Sequence, residues 1–246
     1  MIRAVLTMDD VPSKNTPKIV EYLNENGIRA VMFAVGKNLE RNPDEAVYAL
    51  KNGMILGNHS QSHPSFSSLT EEDCISEIEQ CEKRLDEIYR AANVVRKFRP
   101  FRFPYGDKGG RNRAMIQSYL AERGFSKLRD DSIPCPWWTE NHLDKDIDTL
   151  WTYDFEEYKV QPGGGFTRED VWKKTRNPAP ALGEALFAEN GRHILLMHAF
   201  DETEEVWPGY YRELIDKLLE NGVVFDEPAF FHEAAFGAEA FGSAQS

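Results

Sequence analysis

Short apolar runs alternate with helix-length segments along almost the whole chain. The apolar runs predict these strands: Ile2–Thr7, Ala30–Val35, Met54–Gly57, Phe98–Phe103, Phe125–Leu128, Thr149–Thr152, His193–His198 and Val223–Phe225. A regular alternation of strands and helices is typical of a parallel sheet, and seven or eight such units indicate a closed or nearly closed barrel. We therefore predict an α/β fold whose active site lies at the C-terminal ends of its parallel strands.

Local start and stop signals support the helices between these strands. Thr16-Pro17 has the pattern of a helix N-cap followed by proline, and Thr70 begins a capping-box sequence. Asn26-Gly27 is typical of a helix end. Short-range chemistry alone therefore predicts where several helices begin or end.

Two segments, 129–148 and 158–180, are predicted to be loop-rich insertions. Long loops in a compact domain are usually functional or disordered. The first segment contains the adjacent Trp137 and Trp138, which form either a sugar-stacking, substrate-binding platform or a lid over the core. The sequence leaves both alternatives open.

The composition is ordinary for a soluble globular protein, with 41% hydrophobic and 28% charged residues. A length of 246 residues is sufficient for one α/β barrel. We predict a single domain over residues 1–236, followed by a small, polar tail, 237–246, that is frayed.

The net charge restricts the class of partner. A formal value of −12 argues against a nucleic-acid partner and against binding to an anionic membrane surface. No apolar run approaches the ~20 residues that span a bilayer. Because no signal peptide precedes the first strand, we expect a cytoplasmic location, although a chain trimmed of its leader would look the same and would be secreted. The sequence makes no prediction of the oligomeric state.

The cysteines predict neither a disulfide nor a metal site. Cys74 and Cys81 lie on a predicted helix, about 10 Å apart along its axis at ~1.5 Å per residue, which is too far for a disulfide. Cys135 then has no partner. We interpret all three cysteines as packing residues or bystanders.

Asp9-Asp10 and the pair His59 and His63 carry the chemistry of this sequence. One carboxylate and two imidazoles bind a divalent metal through one face and leave coordination positions open. The second aspartate is then spare, and a carboxylate beside a metal-held water is a natural general base. Together these residues predict metal-assisted hydrolysis.

The spacing of these residues predicts how they come together. Asp9 and Asp10 follow an apolar strand, so both carboxylates reach one metal only if the strand ends there, as Pro12 indicates. His59 and His63 share a face if they lie in a helical turn. Taken separately, such an aspartate pair is often turn chemistry and such a histidine pair a polar surface feature. Both signals together, each at a strand end, favour the metal site.

Two further segments contain candidate catalytic residues. Arg102 follows a predicted strand, where its charge can keep an aspartate ionised and oriented. The N–H of Tyr105, in a Pro-Tyr-Gly turn, can stabilise an oxyanion. His198 ends the strand that His193 begins, so His198 lies at the predicted catalytic rim and His193 at the opposite end. We interpret the remaining two histidines as surface residues: His142 and His232.

These segments, in this order, resemble the motifs of the polysaccharide deacetylase family (carbohydrate esterase family 4, the NodB homology domain). The first motif resembles Thr7–Pro12, the second His59–Pro64, the third Arg102–Tyr105 and the fifth Leu195–His198. The resemblance runs from residue 1 to about 231. It implies a distorted (β/α)7 barrel.

The resemblance implies a metal cofactor bound by one carboxylate and two imidazoles. The ligands would be Asp10, His59 and His63. Zinc is the metal we favour, and cobalt, nickel, manganese or iron are compatible with the same ligand set.

The resemblance also implies catalytic roles. Asp9 would be the general base and Arg102 its orienting partner. Tyr105 would donate its N–H to the oxyanion and contact the substrate. His198 would protonate the leaving group as the general acid.

The fourth motif departs from the family pattern of an aspartate followed by tryptophan. The nearest match is Tyr153-Asp154-Phe155, in which Asp154 would tune His198, and the missing tryptophan puts the usual groove wall in question. Val11 also replaces the glycine of the first motif, which we expect to change turn geometry rather than chemistry.

The implied function is the hydrolysis of an acetyl group, with N-deacetylation of an N-acetylated amino sugar or oligosaccharide as the first hypothesis. A positioned acid favours the amide, since protonating a departing amine is more demanding than releasing an alcohol. The first alternatives are an O-acetyl esterase acting on a polysaccharide such as xylan and an amide or imide hydrolase with a small non-carbohydrate substrate. A non-catalytic carbohydrate-binding protein is a further alternative.

Overall fold

The structure, a computed structural model, describes residues 1–178, 180 and 184–231. Within these residues the strands are β1 (Ile2–Val11), β2 (Ala30–Ala34), β3 (Ile55–Asn58), β4 (Tyr153–Asp154), β5 (Arg192–His198) and β6 (Val223–Phe225). The helices are α1 (Thr16–Glu25), α2 (Gly36–Arg41), α3 (Pro43–Lys51), α4 (Glu71–Ala92), α5 (Arg113–Glu122), α6 (Pro136–Glu140), α7 (Arg168–Thr175), α8 (Asp201–Val206) and α9 (Tyr210–Glu220). His232 and the predicted tail 237–246 lie outside the described residues.

The strands form one parallel sheet in the order β3-β2-β1-β5-β4, and β6 pairs with the first residues of β1. The register places Asp9 beside His198 and Ala34 beside Asn58. The C-terminal ends of these strands therefore meet at one rim. The predicted α/β fold with parallel strands is confirmed.

The sheet is open between β3 and β4 in the part of the chain that the structure describes. The predicted strand Phe98–Phe103 is reduced to one bridge, between Phe101 and Asn58. Pro100 precedes this bridge, and a proline cannot donate a hydrogen bond to a ladder. The carbonyl of Phe101 accepts the Thr149 N–H at 2.8 Å, so single backbone contacts span part of the gap that a closed barrel would fill.

Two other predicted strands differ from the structure. The segment 125–128 forms one antiparallel bridge, from Leu128 to Phe230. The strand predicted at 149–152 begins later, as the two residues of β4. An apolar run therefore does not suffice to form a strand in either segment. Whether the backbone pairs depends on contacts with residues distant in sequence.

Local signals predicted the helix starts well. Helix α1 begins at Thr16 with Pro17 in its first turn, so its N-cap is Asn15, one residue before the predicted Thr16. Helix α4 begins after Thr70, whose hydroxyl accepts the Asp73 N–H at 3.1 Å. An N-cap of this kind stabilises a helix by about 1 kcal/mol.

Apolar residues pack on both sides of the sheet. Alternate residues of β1, among them Leu6 and Met8, pack with the surrounding helices in the larger cluster. A second cluster contains Phe33 of β2 and Ile194 of β5 together with Trp138 of α6. The two clusters keep the strands in place, and with them the rim that carries the polar motif residues.

The structure also bears on the predicted state of the cysteines and on membrane-spanning helices. The cysteines are free, as predicted, and all three are buried: Cys74, Cys81 and Cys135. Among the described residues, every helix is too short or too polar to cross a membrane.

Candidate active site

A bulge in β1, not a strand end, brings the two aspartates together. The strand continues to Val11, so the predicted ending at Asp10 is wrong. The pairing register with β2 shifts between Met8 and Val11, and Asp10 has a φ of 65°. On a regular strand neighbouring side chains lie on opposite faces, and the bulge removes this restriction.

As a result both carboxylates lie near one imidazole. Asp9 Oδ2 is 3.5 Å from His59 Nε2, and Asp10 Oδ1 is 4.0 Å from the same nitrogen.

The two histidines lie in an irregular loop, so the predicted helical turn is also wrong. Ser60 and His63 have φ values of 66° and 60°, in the left-handed region. This bend places His63 Nε2 at 3.3 Å from Asp10 Oδ1. One ligand atom each from Asp10, His59 and His63 lies within 4.8 Å of the others. The predicted metal-ligand set is therefore brought together, by a backbone that the spacing did not predict.

Hydrogen bonds orient this loop from behind. His59 Nδ1 lies 2.8 Å from the Arg102 carbonyl oxygen, which can only accept, so Nδ1 carries the proton and Nε2 is free to ligate. The Glu77 carboxylate on α4 accepts the Ser62 N–H and hydroxyl, each at 2.7 Å. Helix α4 thus fixes the loop between the two histidines.

Arg102 is fully buried and binds Asp9, as the sequence predicts. Its guanidinium donates to Asp9 Oδ1 and to the Thr7 hydroxyl, each at 2.8 Å, and to the Thr149 carbonyl at 2.9 Å. Burial by itself would raise the pKa of Asp9, but the nearby positive charges, led by Arg102, keep that pKa below its ordinary value. Asp9 is therefore an ionised, oriented carboxylate.

Tyr105 lies beside the metal-ligand candidates. Its ring centroid is 4.5 Å from that of His63, and 70% of the residue is exposed. Its backbone has a φ of 60°, and its N–H donates no hydrogen bond to another described residue. Both its ring and its N–H are thus available at the rim, as its two predicted roles require.

Trp151 is a neighbour that the sequence analysis missed. A Cβ atom at Gly106 would lie 2.9 Å from the Trp151 ring, so the indole packs directly against the turn that follows Tyr105. The Arg102 guanidinium lies 5.5 Å from the same ring. No motif pointed to this tryptophan, because its neighbours come from segments distant in sequence.

His198 lies at the C-terminal end of β5, next to Asp9 on β1. Its Nδ1 is 3.4 Å from Glu157 Oε1, and its backbone N–H donates to the same carboxylate oxygen. Burial would lower the pKa of His198, but the Glu157 carboxylate, followed by Asp154 and Asp10, raises it to about 9.

The structure adds Glu157 to the partner that the fourth motif predicted for His198. Glu157 makes the contact with His198, whereas Asp154 lies beside this pair and accepts the Glu156 N–H at 2.8 Å. Burial, followed by the Glu157 charge, raises the pKa of Asp154 to about 6, with the His198 charge opposing the shift. Asp154 therefore affects His198 through its charge, without direct contact.

The aromatic residue beside His198 is Tyr158, not Phe155 of the predicted fourth motif. Phe155 is 1% exposed and belongs to the core, so it cannot form a groove wall. The Tyr158 ring centroid lies 4.4 Å from that of His198. The sequence does contain a signal for these two neighbours of His198, because Glu157-Tyr158 is an acid followed by an aromatic residue.

Trp138 is in the wrong place for the predicted sugar platform. It is 2% exposed, and its indole N–H donates to Asp130 at 2.8 Å. It clusters with Val31 and Ile194, near the N-terminal ends of β2 and β5, whereas the motif residues lie at the C-terminal ends. Half-buried Trp137 packs against the same cluster. Both tryptophans therefore cover the core, as the second of the two predicted alternatives states.

The remaining described histidines have the positions expected of them. His193 is buried at the N-terminal end of β5, where its Nδ1 lies 3.1 Å from the Thr152 hydroxyl. His142 is exposed.

Comparison with known proteins identifies the family. Residues 2–122 match the family described as polysaccharide deacetylase, a range that contains the aspartates of β1, the histidine loop and Arg102 with Tyr105. The chain belongs to the polysaccharide deacetylase family. This is the family that the sequence analysis named from the resemblance.

Named relatives of this deacetylase-family chain act on acetylated carbohydrates. It is 34% identical over 103 residues to a peptidoglycan-N-acetylglucosamine deacetylase of Bacillus cereus, covering 42% of this chain and 36% of that protein. It is 32% identical over 220 residues to chitin deacetylase 1 of Cryptococcus neoformans var. grubii, covering 88% of this chain and 41% of that protein. The chain spans only about two fifths of the length of these relatives.

A solved structure agrees with the fold. The family 4 carbohydrate esterase from Streptomyces lividans, in complex with acetate, is similar with a TM-score of 0.60 at 22% identity, covering 92% of both chains. At this identity the similarity concerns the parallel α/β architecture.

Proposed function

We propose that this protein is a metal-dependent hydrolase that removes the acetyl group of an N-acetylated amino sugar or oligosaccharide. The observation that carries the proposal is the pairing of Asp9 and His198 on neighbouring strands, beside three residues suited to bind a metal. The names of the relatives, a peptidoglycan and a chitin deacetylase, support a carbohydrate substrate.

Asp10, His59 and His63 fit a divalent metal, since their ligand atoms are a carboxylate oxygen and two imidazole nitrogens within 4.8 Å of one another. Such an ion polarises a carbonyl as a Lewis acid and lowers the pKa of water. We propose zinc, for which this combination of nitrogen and oxygen ligands is common in catalytic sites.

Asp9 is the proposed general base. Arg102 binds its Oδ1, and its Oδ2 lies on the side of His59. A carboxylate held in this way stays ionised and is oriented to accept a proton from an attacking water.

His198 is the proposed general acid. A pKa of about 9 means that the imidazole is protonated at neutral pH, so it can supply the proton that a departing amine requires. The exposed Tyr105 turn is the proposed donor to the oxyanion through its N–H. An O-acetyl ester would react at the same site and needs the acid less.

The test is acetate release from chitooligosaccharides and from acetylated xylan by zinc-loaded protein. Asp9→Asn should bind zinc as the wild type does and lose about 100-fold or more in kcat, since a positioned base contributes ~10²–10⁴-fold. The matched control is Asp131→Asn, which changes an exposed aspartate paired with Arg129.

Three outcomes would contradict parts of this proposal or favour an alternative function. Full activity of Asp9→Asn would refute the assigned base. Acetate release from xylan alone would favour the O-acetyl esterase. Activity on neither substrate would contradict both carbohydrate functions, and a panel of cyclic imides and ureides would then test the small-amide alternative.

A further inference from the structure

A second group of potential metal-ligand atoms includes His198. One ligand atom each from Asp154, Glu157 and His198 lies within 4.8 Å of the others. The cluster is buried, since Glu157 is 0% and His198 8% exposed. These residues come from β4, from the turn after it and from the end of β5, so the sheet itself holds them together.

Two atoms of this cluster have no hydrogen-bond partner among the described residues. They are Glu157 Oε2 and His198 Nδ1, and both are shielded from solvent. The Glu157–His198 contact, at 3.4 Å, leaves this nitrogen without a hydrogen bond. A buried polar atom without a partner destabilises the fold, so a ligand that satisfies both atoms would be favoured.

Glu157 differs from the other buried carboxylates of the described chain. Each of the others forms an ion pair with a lysine or arginine: Asp9, Glu82, Asp130, Asp146 and Asp148. Glu157 has an ion pair with His198 alone, although Asp154 adds a second carboxylate beside it. The cluster therefore has a deficit of positive charge in a buried setting, where an uncompensated charge is expensive.

We propose that Asp154, Glu157 and His198 form a second divalent-cation site, separate from the Asp10–His59–His63 site. Two carboxylate oxygens and one imidazole nitrogen suit zinc and the neighbouring transition metals. The cation would satisfy Glu157 Oε2 and His198 Nδ1 and supply the missing positive charge.

Occupancy of this site would inhibit the enzyme, a consequence that rests on the proposed function of His198. On binding, the N–H bond at Nδ1 breaks, its proton passes to solvent, and a bond from Nδ1 to the cation forms. His198 can then no longer exist as the imidazolium that protonates a leaving group. Excess zinc should lower the rate by about 100-fold, the contribution expected of a general acid.

The decisive measurement is zinc binding to metal-free protein, by equilibrium dialysis and elemental analysis. We expect the wild type to bind two zinc ions per chain, Glu157→Gln to lose the weaker one, and His63→Ala to lose the tighter one. Glu156→Gln is the matched control, because Glu156 is the adjacent acid, pairs with Lys159 and Lys174, and lies outside the cluster.

The variants separate failure of this proposal from failure of the proposed function. Unchanged zinc binding by both Glu157→Gln and the more accessible Asp154→Asn would overturn the second site. Unchanged binding by His63→Ala would instead overturn the proposed catalytic metal site. Loss of a zinc ion in Glu156→Gln as well as in Glu157→Gln would mean that the ion binds the surface acids, and would also overturn the second site.

Discussion

At the scale of single residues, β5 carries two buried histidines whose pKa values shift in opposite directions. At His198, burial is outweighed by the adjacent Glu157 carboxylate, and the pKa rises to about 9. At His193, burial dominates and lowers the pKa to about 4. One strand therefore carries a protonated histidine at its C-terminal end and a neutral histidine at its N-terminal end.

The depressed pKa of His193 predicts a loss of stability in acid. Below a pH of about 6.5 the unfolded chain takes up a proton at this histidine, whereas the folded chain does so only near pH 4. The free energy of unfolding should therefore fall by up to ~1.4 kcal/mol per pH unit across this window, and the contribution is absent above it.

Urea unfolding of the wild type and of His193→Gln at pH 7 and pH 4.5 measures this effect. The variant should lose about 2 kcal/mol less than the wild type between the two pH values. The control is His142→Gln, at an exposed histidine, which should follow the wild type. Identical acid sensitivity of all three proteins would contradict the prediction.

At the scale of elements, the loops that follow β3 and Phe101 are tied together by Asp107. Its carboxylate accepts the Ser67 N–H at 2.9 Å and the Ser67 hydroxyl at 2.8 Å, and it also accepts the Ser65 hydroxyl. The first loop carries His63 and the second carries Tyr105, whose rings are in contact. Asp107 thus positions a candidate metal ligand relative to the candidate oxyanion donor.

Removing this connection should affect the site more than the fold. Asp107→Ala is expected to lower zinc affinity or kcat/KM by about tenfold, the lower end of the effect of residues that orient metal ligands. Metal titration and steady-state kinetics measure the two quantities, and the melting temperature checks the fold. Asp131→Ala removes an exposed carboxylate elsewhere and should change none of them. Kinetics and affinity of Asp107→Ala equal to those of this control would rule out the positioning role.

At the scale of the whole molecule, the two ends of the sheet carry different kinds of side chain. The C-terminal rim carries the aspartates of β1, the motif histidines and the exposed Tyr105. The cluster with Trp138 fills the space between the strands near their N-terminal ends. Asp130 accepts the indole N–H of Trp138, so even its polar atom is satisfied inside the protein.

Truncation of Trp138 should therefore destabilise the protein without changing substrate binding. Trp138→Ala is expected to lower the free energy of unfolding by about 3–5 kcal/mol, the usual cost of removing a large buried side chain. Trp137→Ala, at a half-buried position, should cost less. Denaturant unfolding and KM for chitooligosaccharides measure the two effects. A raised KM with normal stability would restore the sugar-platform hypothesis.

Much of this protein follows from short-range signals in the sequence. Alternating apolar runs predicted the parallel α/β fold, and the chemistry of Thr16-Pro17 and Thr70 predicted two helix starts that the structure shows. Residue type is enough to propose a metal set of one carboxylate and two imidazoles, because ligand preference belongs to the side chain itself.

What only the tertiary structure decided depends on contacts between residues distant in sequence. Asp10 reaches the histidines through a bulge set by pairing with β2, and His198 meets Glu157 because β5 lies beside the turn after β4. The burial of Trp138 likewise depends on how α6 packs against the strands. Local sequence determines which groups are present and many helix boundaries, but the free energy of packing determines which groups meet and which become buried.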